Sequence, residues 1–409
     1  MPTFLEIVVN VPHVEGVFHY HLPDDMEGQV HPGHLVEVPF GKQQVQGVVL
    51  RQVNQPSVQE TRPVSALIDN SVVLTGAQLA LAEQMATDTL APLSACINLM
   101  LPAGLSQMGD TLYTLHIPPK SRTKPAPTDL QRRVLDLLNK RGPLTGRQVD
   151  RAIPRTRWRQ AIRPLIDRGY LAVKPILPAP NVQPKSVRTV RLASSPAIIE
   201  TKMVDLGRKG SLALDRREAI MRYLLEEPGP VEVSWVYAAS GGNLQDLRYL
   251  AERELVVLGE SQIWRDPLEG IEFISKEPPT LTRDQDLVWK EIMSGFEAIQ
   301  LGKPQAPYLL HGVTGSGKTE IYLRAVNAVI QNKRQAIILV PEIALTPQTV
   351  RRFLARFPGQ VGLVHSGLST GERYDTWRRA RQGDLGVIVG PRSALFTPLP
   401  NLGLIVVDE

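Results

Sequence analysis

Residues Gly312-Val-Thr-Gly-Ser-Gly-Lys-Thr319 complete a GxxxxGK[ST] phosphate loop. The apolar run Tyr308–Val313 in front of it reads as a strand, and a helical pattern follows from Lys318. A loop of this kind works only between a strand and a helix, so it commits this stretch to an α/β fold. Gly312, Gly315, Ser316 and Gly317 let backbone amides turn inward around phosphate oxygens, and the helix start adds its positive dipole end. Lys318 brings a point charge to those oxygens, and the Thr319 hydroxyl is suited to Mg²⁺. ATP–Mg²⁺ is therefore the expected cofactor.

Strand and helix patterns alternate to the end of the chain. Ala336–Val340, Val361–His365, Leu385–Val389 and Leu402–Val407 read as strands, with helical segments from Pro347 and through Trp377 between them. Apolar strands separated by helices imply a parallel sheet covered on both faces. The last strand ends in Asp408-Glu409, a Walker B pattern. Asp408 is the expected Mg²⁺ holder, acting through water, and Glu409 the group that polarises the attacking water. Lys318, Asp408 and Glu409 form the expected catalytic set, and Thr319 and Asp408 the metal set.

Charge divides the chain. Its net +5 combines −8 over residues 1–119, +14 over 120–191, −5 over 205–275 and +4 over 276–409, so one segment dominates the attraction for phosphate. A single cysteine, Cys96, excludes a disulfide framework or a Cys-ligated zinc site within these 409 residues. The longest apolar runs are strand-length, far short of the roughly 18 residues of a membrane span. No signal peptide is visible after Met-Pro-Thr, so a cytoplasmic protein is expected.

The front reads as β: Leu5–Val9, Gly16–His21, Leu35–Pro39 and Val45–Val49, divided by Pro-, Gly- and Asp-containing turns. Thr75 is placed to cap a helix over Gly76–Thr89, and a second short helix fits Pro92–Pro102. The expectation is a β-rich domain over 1–105 and a basic, proline-containing linker over 106–127. Helix, helix, helix and strand then follow over 128–178, which is winged-helix order, with Pro164 set to kink the third helix or delay its start. After a linker at 179–204, a related pattern returns over 205–275. Gly229-Pro230 repeats Gly142-Pro143, and Leu247, Arg248, Leu250 and Arg253 repeat Ile162, Arg163, Leu165 and Arg168. Either this is a second winged-helix-like unit or two short helical hairpins look alike. The first copy carries Arg155, Arg157 and Arg159 around Trp158 and is the one expected to meet DNA.

The segments Pro341–Gln348, His365–Arg373 and Gly390–Thr397 follow strands of the α/β region, and they bring hydroxyls and Arg392 to the rim where such sheets bind ligands. With the phosphate loop and the Asp-Glu strand, the strings GVTGSGKTE, LVPEIALTPQT, HSGLSTGER and GPRSALFTPLPNLGLIVVDE closely resemble the motifs of superfamily 2 helicases, in the form found in the replication-restart helicases. That resemblance covers roughly residues 281–409 and implies a RecA-like helicase lobe over 276–409. It implies an ATP-dependent 3′-to-5′ DNA helicase that recognises stalled forks and restarts replication by primosome assembly. Forked DNA with a 3′ end, single-stranded DNA, other primosome proteins and single-stranded DNA-binding protein would be its partners. Gln285 sits where the family has its adenine-reading glutamine, although Thr282 followed by Gln285 is also an ordinary helix cap.

The front of the chain resembles the same family more faintly. Its pocket for a 3′ end matches Phe18-His19-Tyr20 and the turn around Gly41 and Lys42, with His19 in place of the family's acidic residue. By the residues alone, Phe18 and Tyr20 share one face of a strand and serve equally well as core or as a stacking platform. The resemblance further implies that a second lobe and a zinc-binding cysteine cluster belong to a C-terminal part that this sequence does not contain. Two other readings stay open: an ATP-binding, hydrolysis-incompetent fork-binding fragment, or a different superfamily 2 repair translocase.

Overall fold

The computed structural model describes residues 3–408 except 12, 13, 103, 117–126, 179, 181, 204, 205, 228, 275, 276 and 314. The chain divides into two compact units. One holds the chain through Val182 and again from Leu268 onward, and the other is Gln183–Pro267.

The first unit opens with strands β1 (Phe4–Val9), β2 (Phe18–His21), β3 (Leu35–Phe40), β4 (Gln43–Val53), β5 (Arg62–Pro63) and β6 (Ala66–Leu67). They form one sheet in the order β5-β2-β1-β4-β3-β6, antiparallel apart from the β2–β5 pair. Alternation along the strands buries both faces. Leu5, Ile7, Val9, Tyr20, Val38 and Val49 fill one core. Val8, Leu35 and Val48 face helices α1 (Gly76–Thr89) and α2 (Leu93–Met100) in another. Thr75 caps α1 as expected, its hydroxyl accepting from the Gln78 amide while the Gln78 side chain accepts from the Thr75 amide.

The next domain begins earlier than its composition suggested. Asp110–Leu115, within the stretch expected as linker, is strand β7. Residues 117–126 of that stretch lie outside the described residues. After β7 come α3 (Asp129–Arg141), β8 (Leu144–Thr145), α4 (Gly146–Ala152), α5 (Trp158–Asp167) and β9 (Leu171–Ile176). β7 is the central strand, in the order β8-β7-β9. Its partner β9 lies some 60 positions away, and Tyr113 packs edge-on against Trp158 at 5.1 Å, which anchors the strand to the helices. Pro164 sits inside α5 without breaking it.

From Leu281 the first unit continues with α10 (Arg283–Gln300), α11 (Lys318–Gln331), β13 (Gln335–Leu339), α12 (Pro347–Arg356), β14 (Val361–Leu363), α13 (Thr370–Gln382), β15 (Val387–Gly390) and β16 (Leu402–Val407); the intervening labels belong to the second unit. The four strands make a parallel sheet in the order β14-β15-β13-β16. One expectation fails here. Tyr308–Val313, read as the strand leading into the phosphate loop, forms no strand. Its groups pair with neither edge of the sheet, and Leu309 and Val313 are 92% and 78% exposed. An apolar run becomes a strand only when a neighbour pairs its backbone groups. On β16, the edge strand, Leu402, Ile405 and Val407 are likewise exposed.

The second unit holds β10 (Lys185–Leu192), α6 (Pro196–Lys202), α7 (Leu212–Glu226), β11 (Val231–Glu232), α8 (Val233–Ser240), α9 (Leu244–Glu252) and β12 (Val256–Ile263). β10 and α6 fall within the expected linker 179–204, and β10 is the central strand of a sheet in the order β11-β10-β12. Its core gathers Val190, Ile199, Ile220, Met221, Val236 and Leu247. With α6 added, the order of elements repeats that of β7 through β9: strand, helix, short strand, helix, helix, strand.

Candidate nucleotide and nucleic-acid sites

The phosphate loop turns into α11 at Gly317, whose φ of +88° is left-handed. A Cβ there would strike the Gln285 amide nitrogen. The left-handed conformation favours glycine here, and a side chain would also displace the Gln285 amide. Lys318 Nζ donates to the carbonyls of Gly312 at 2.7 Å and Val313 at 3.2 Å, so its ammonium is held over the loop. A cavity of about 760 Å³ opens beside it. Gly315, Gly317, Lys318, Thr319 and Asp408 line this cavity, so residues some 90 positions apart meet at one place. Gly312 and Ser316 form the loop behind it and are not on the wall. Glu409 lies outside the described residues.

Asp408 is positioned by the neighbouring strand β13 and by α11. Its amide donates to the Leu339 carbonyl at 2.8 Å, and Tyr322 Oη donates to its carboxylate at 3.4 Å. Burial raises the Tyr322 pKa, and the Asp408 charge raises it further, so the phenol stays protonated as a donor. A hydroxyl, an ammonium and a carboxylate facing one open cavity are a fitting set for a triphosphate with Mg²⁺.

Gln285 is the helix cap that its spacing from Thr282 suggested, and it also reaches the phosphate loop. Its side-chain oxygen accepts from the Thr282 amide in a capping box, while Nε2 donates to the Ser316 carbonyl at 2.9 Å. The first turn of α10 is thereby tied to the phosphate loop. Sequence reasoning missed Glu320, Arg352 and Arg356 on the cavity wall. Arg356 and Arg324 both bond the Glu320 carboxylate, at 2.7 and 2.9 Å. The available signal was the i, i+4 spacing of Arg352 and Arg356, which puts both on one face of α12.

The N-terminal candidates separate. Tyr20 is 4% exposed, lies in the core, and donates from Oη to the Pro39 carbonyl at 3.1 Å. Burial raises its pKa, with Arg62 pulling the other way. As a stacking residue Tyr20 is therefore corrected to a core residue, because its ring has no free face. Phe18 is half-buried and meets Phe40 edge-on at 5.0 Å. Gly41 has φ +59°, its carbonyl accepts from Arg62 Nη1 at 3.1 Å, and Lys42 beside it is exposed. His19 faces away from the Phe18–Tyr20 side, with Nε2 3.5 Å from Glu6.

Among the arginines, Arg155 and Arg157 are exposed at the start of α5. Arg159 differs: it grips the Asp150 carboxylate through two bonds, at 2.7 and 2.6 Å. Those bonds hold the Asp150 pKa below the ordinary carboxylate range, so much of the Arg159 charge is already matched. Arg392 is exposed just after β15. Among the described residues, no helix is long and apolar enough to cross a membrane.

Comparison with known proteins adds to this geometry. Residues 6–102 match the 3′ DNA-binding domain model named for PriA, and residues 282–409 match the DEAD/DEAH box helicase domain. A DEAD/DEAH box domain implies nucleotide and Mg²⁺ use in general. The chain is 31% identical over 413 residues to the replication restart protein PriA of Bacillus subtilis (strain 168), covering 99% of this chain and 48% of that protein. It is 31% identical over 419 residues to the PriA of Synechocystis, covering 98% and 47%. With the Haemophilus influenzae PriA it is 40% identical over 159 residues, covering 38% and 20%. The chain thus spans about half the length of the first two relatives.

Proposed function

This chain belongs with the PriA replication restart proteins along the half of their length that it shares, and from that premise we propose that it is the fork-binding and nucleotide-binding part of an ATP-driven 3′-to-5′ DNA helicase. In this reading it recognises stalled forks and serves primosome assembly in the cytoplasm. The meeting of Lys318, Thr319 and Asp408 around one cavity carries the proposal. Lys318 and the loop amides bind and orient the phosphates, Thr319 and Asp408 hold the metal, and Gln285 reads the adenine edge. Bound ATP–Mg²⁺ supplies the energy for strand movement. Residues 128–178 are read as a DNA-facing winged helix, and the acidic second copy as a spacer. Partners are forked DNA with a free 3′ end, single-stranded DNA, other primosome proteins and single-stranded DNA-binding protein.

A second reading, an ATP-binding but hydrolysis-incompetent fork binder, draws on the cavity's arginines. Arg356 is already paired with Glu320, which leaves it poorly placed to neutralise charge building on a transferring phosphoryl group. An ATPase assay with and without forked DNA separates the two. Fork-stimulated turnover supports the motor, whereas ATP binding without turnover supports the second reading. Absence of nucleotide binding, or binding untouched by Lys318→Ala, would defeat both.

A further inference from the structure

The cavity beside the phosphate loop holds more cations than the loop itself supplies. Besides Lys318, its wall carries Arg352 and Arg356 from α12 and Glu320 from α11. The two arginines stand four positions apart and so lie one turn apart on the same face of α12. Their surroundings differ. Arg356 Nη2 donates to Glu320 Oε1 at 2.7 Å. Arg324 Nε donates to the same oxygen at 2.9 Å, and its Nη2 to the Pro279 carbonyl at 2.6 Å. One carboxylate thus occupies two guanidinium groups and fastens α12 to the first turn of α11. Arg352 is exposed and has no hydrogen bond or ion pair among the described residues.

Topology fixes which part of a bound nucleotide Arg352 would meet. The strands on either side of α12, β13 and β14, run parallel within one sheet, so α12 starts at the edge where β13 ends and runs back toward the start of β14. Asp408 stands at that same edge, because its amide donates to the Leu339 carbonyl at the end of β13. Arg352, one turn ahead of Arg356, lies on the Asp408 side. Asp408 and Thr319 are the pair suited to Mg²⁺, and such a metal bridges the last two phosphates of a nucleoside triphosphate. Glu320, two residues from Lys318, is already matched by its two arginines and does not oppose an anion here. We propose that Arg352 grips the terminal phosphate of ATP from α12, so that this site distinguishes a nucleoside triphosphate from a diphosphate. Its planar guanidinium offers parallel donors to phosphate oxygens, a match that an ammonium cannot make. The proposal rests on the nucleotide-binding reading above and adds to it the residue that reads the third phosphate.

The test measures calorimetric binding of ATP and of ADP, each with excess Mg²⁺, to the full chain. Arg352→Gln should weaken ATP binding roughly ten-fold and ADP binding less than about two-fold. Arg352→Lys restores the charge without the planar fork, and should recover only part of the loss, leaving ATP roughly three-fold weaker than in the wild type. The melting temperature of the unliganded chain should not move in either variant, because the side chain is exposed. The rise in melting temperature brought by a fixed concentration of ATP should shrink in Arg352→Gln, while that brought by ADP should not. Equal losses for the two nucleotides would place Arg352 on an inner phosphate and overturn the assignment. ATP affinity unchanged in Arg352→Gln would overturn it outright while leaving the nucleotide-binding reading in place. A wild-type chain that binds neither nucleotide would remove that reading and this inference together.

Discussion

Gln78 Nε2 donates to the Phe396 carbonyl at 2.8 Å, across 318 positions of sequence. The same Gln78 closes the capping box of α1, so one side chain both starts a helix of the N-terminal domain and fastens that domain to the loop after β15. Arg381 adds a second tie, through bonds to the Val72 carbonyl at 3.1 Å and Ser71 Oγ at 2.6 Å. Tyr374 and Trp377 lie in the same hydrophobic core as Val73, Leu74 and Met100. The N-terminal domain and the lobe built on the parallel sheet therefore share a core.

This shared core should make the two domains melt together. Arg381→Ala removes a largely buried guanidinium with its two bonds and its contact with Trp377, at a cost of about 2–3 kcal/mol. Calorimetry should show the transition shifted down or split in two. An unshifted single transition would mean that the tie contributes nothing.

Gln285 should act on both nucleotide choice and loop order. Gln285→Ala frees the Ser316 carbonyl and removes the amide facing the loop. ATP affinity should fall roughly five- to ten-fold, and the preference for ATP over CTP should shrink, since one hydrogen bond to a fixed partner contributes about 1 kcal/mol. Competition binding with the two nucleotides measures this. Equal losses for both would leave Gln285 a structural cap only.

Nonspecific DNA binding should follow the exposed arginines. With Arg159 matched by Asp150, Arg155, Arg157 and Arg163 are exposed arginines at α5 without an ion pair among the described residues. Changing all three to Glu in the full chain should lower the slope of log affinity against log salt on duplex DNA by roughly 3. The Arg159→Ala change alone should alter that slope much less. A slope unmoved by the triple change would place the phosphate contacts elsewhere.

Tyr20 should separate stability from end recognition. Tyr20→Ala empties a core position, at a cost of about 3–5 kcal/mol, and should unfold the N-terminal domain rather than merely weaken DNA binding. Lys42→Ala, on the exposed turn, should leave stability unchanged and reduce the preference for forks ending in 3′-hydroxyl over 3′-phosphate. Circular dichroism and fork binding, read on both variants, decide the matter. A folded Tyr20→Ala protein that has lost the end preference would restore Tyr20 as a contact residue.

Residues 183–267 should show an acid dependence centred on Asp246. Burial pushes this carboxyl up, but bonds from Arg216 at 2.8 Å, from Arg217 at 3.2 Å and from the Asn243 amide outweigh it and bring the pKa below the ordinary range. A depressed folded value means stability that is complete above the unfolded value, near 3.9, and is lost as pH falls through the folded value. Asp246→Asn should cost about 3 kcal/mol at pH 7 by urea unfolding. The gap to wild type should begin to narrow below about pH 4 and close only below the depressed folded value. A gap independent of pH would argue for packing instead of charge.

The sequence by itself determined the elements whose cause is local. The Thr75–Gln78 and Thr282–Gln285 boxes start their helices from within four residues, and Leu402–Val407 appears with the bounds its apolar run suggested. The phosphate loop was legible because its chemistry fixes residue types at fixed spacing. What depends on a distant partner was decided only by the tertiary structure. β7 and β10 looked like linker because their pairing residues lie far along the chain, and Tyr308–Val313 looked like a strand because an apolar run does not reveal whether a neighbour exists to pair with it. Tyr20 and Phe18 share a pattern but not a fate, since burial is set by what packs on the strand. Arg159 resembled its neighbours until the fold brought Asp150 to it, nine residues back and one helix away, because a charge is free or matched only in three dimensions.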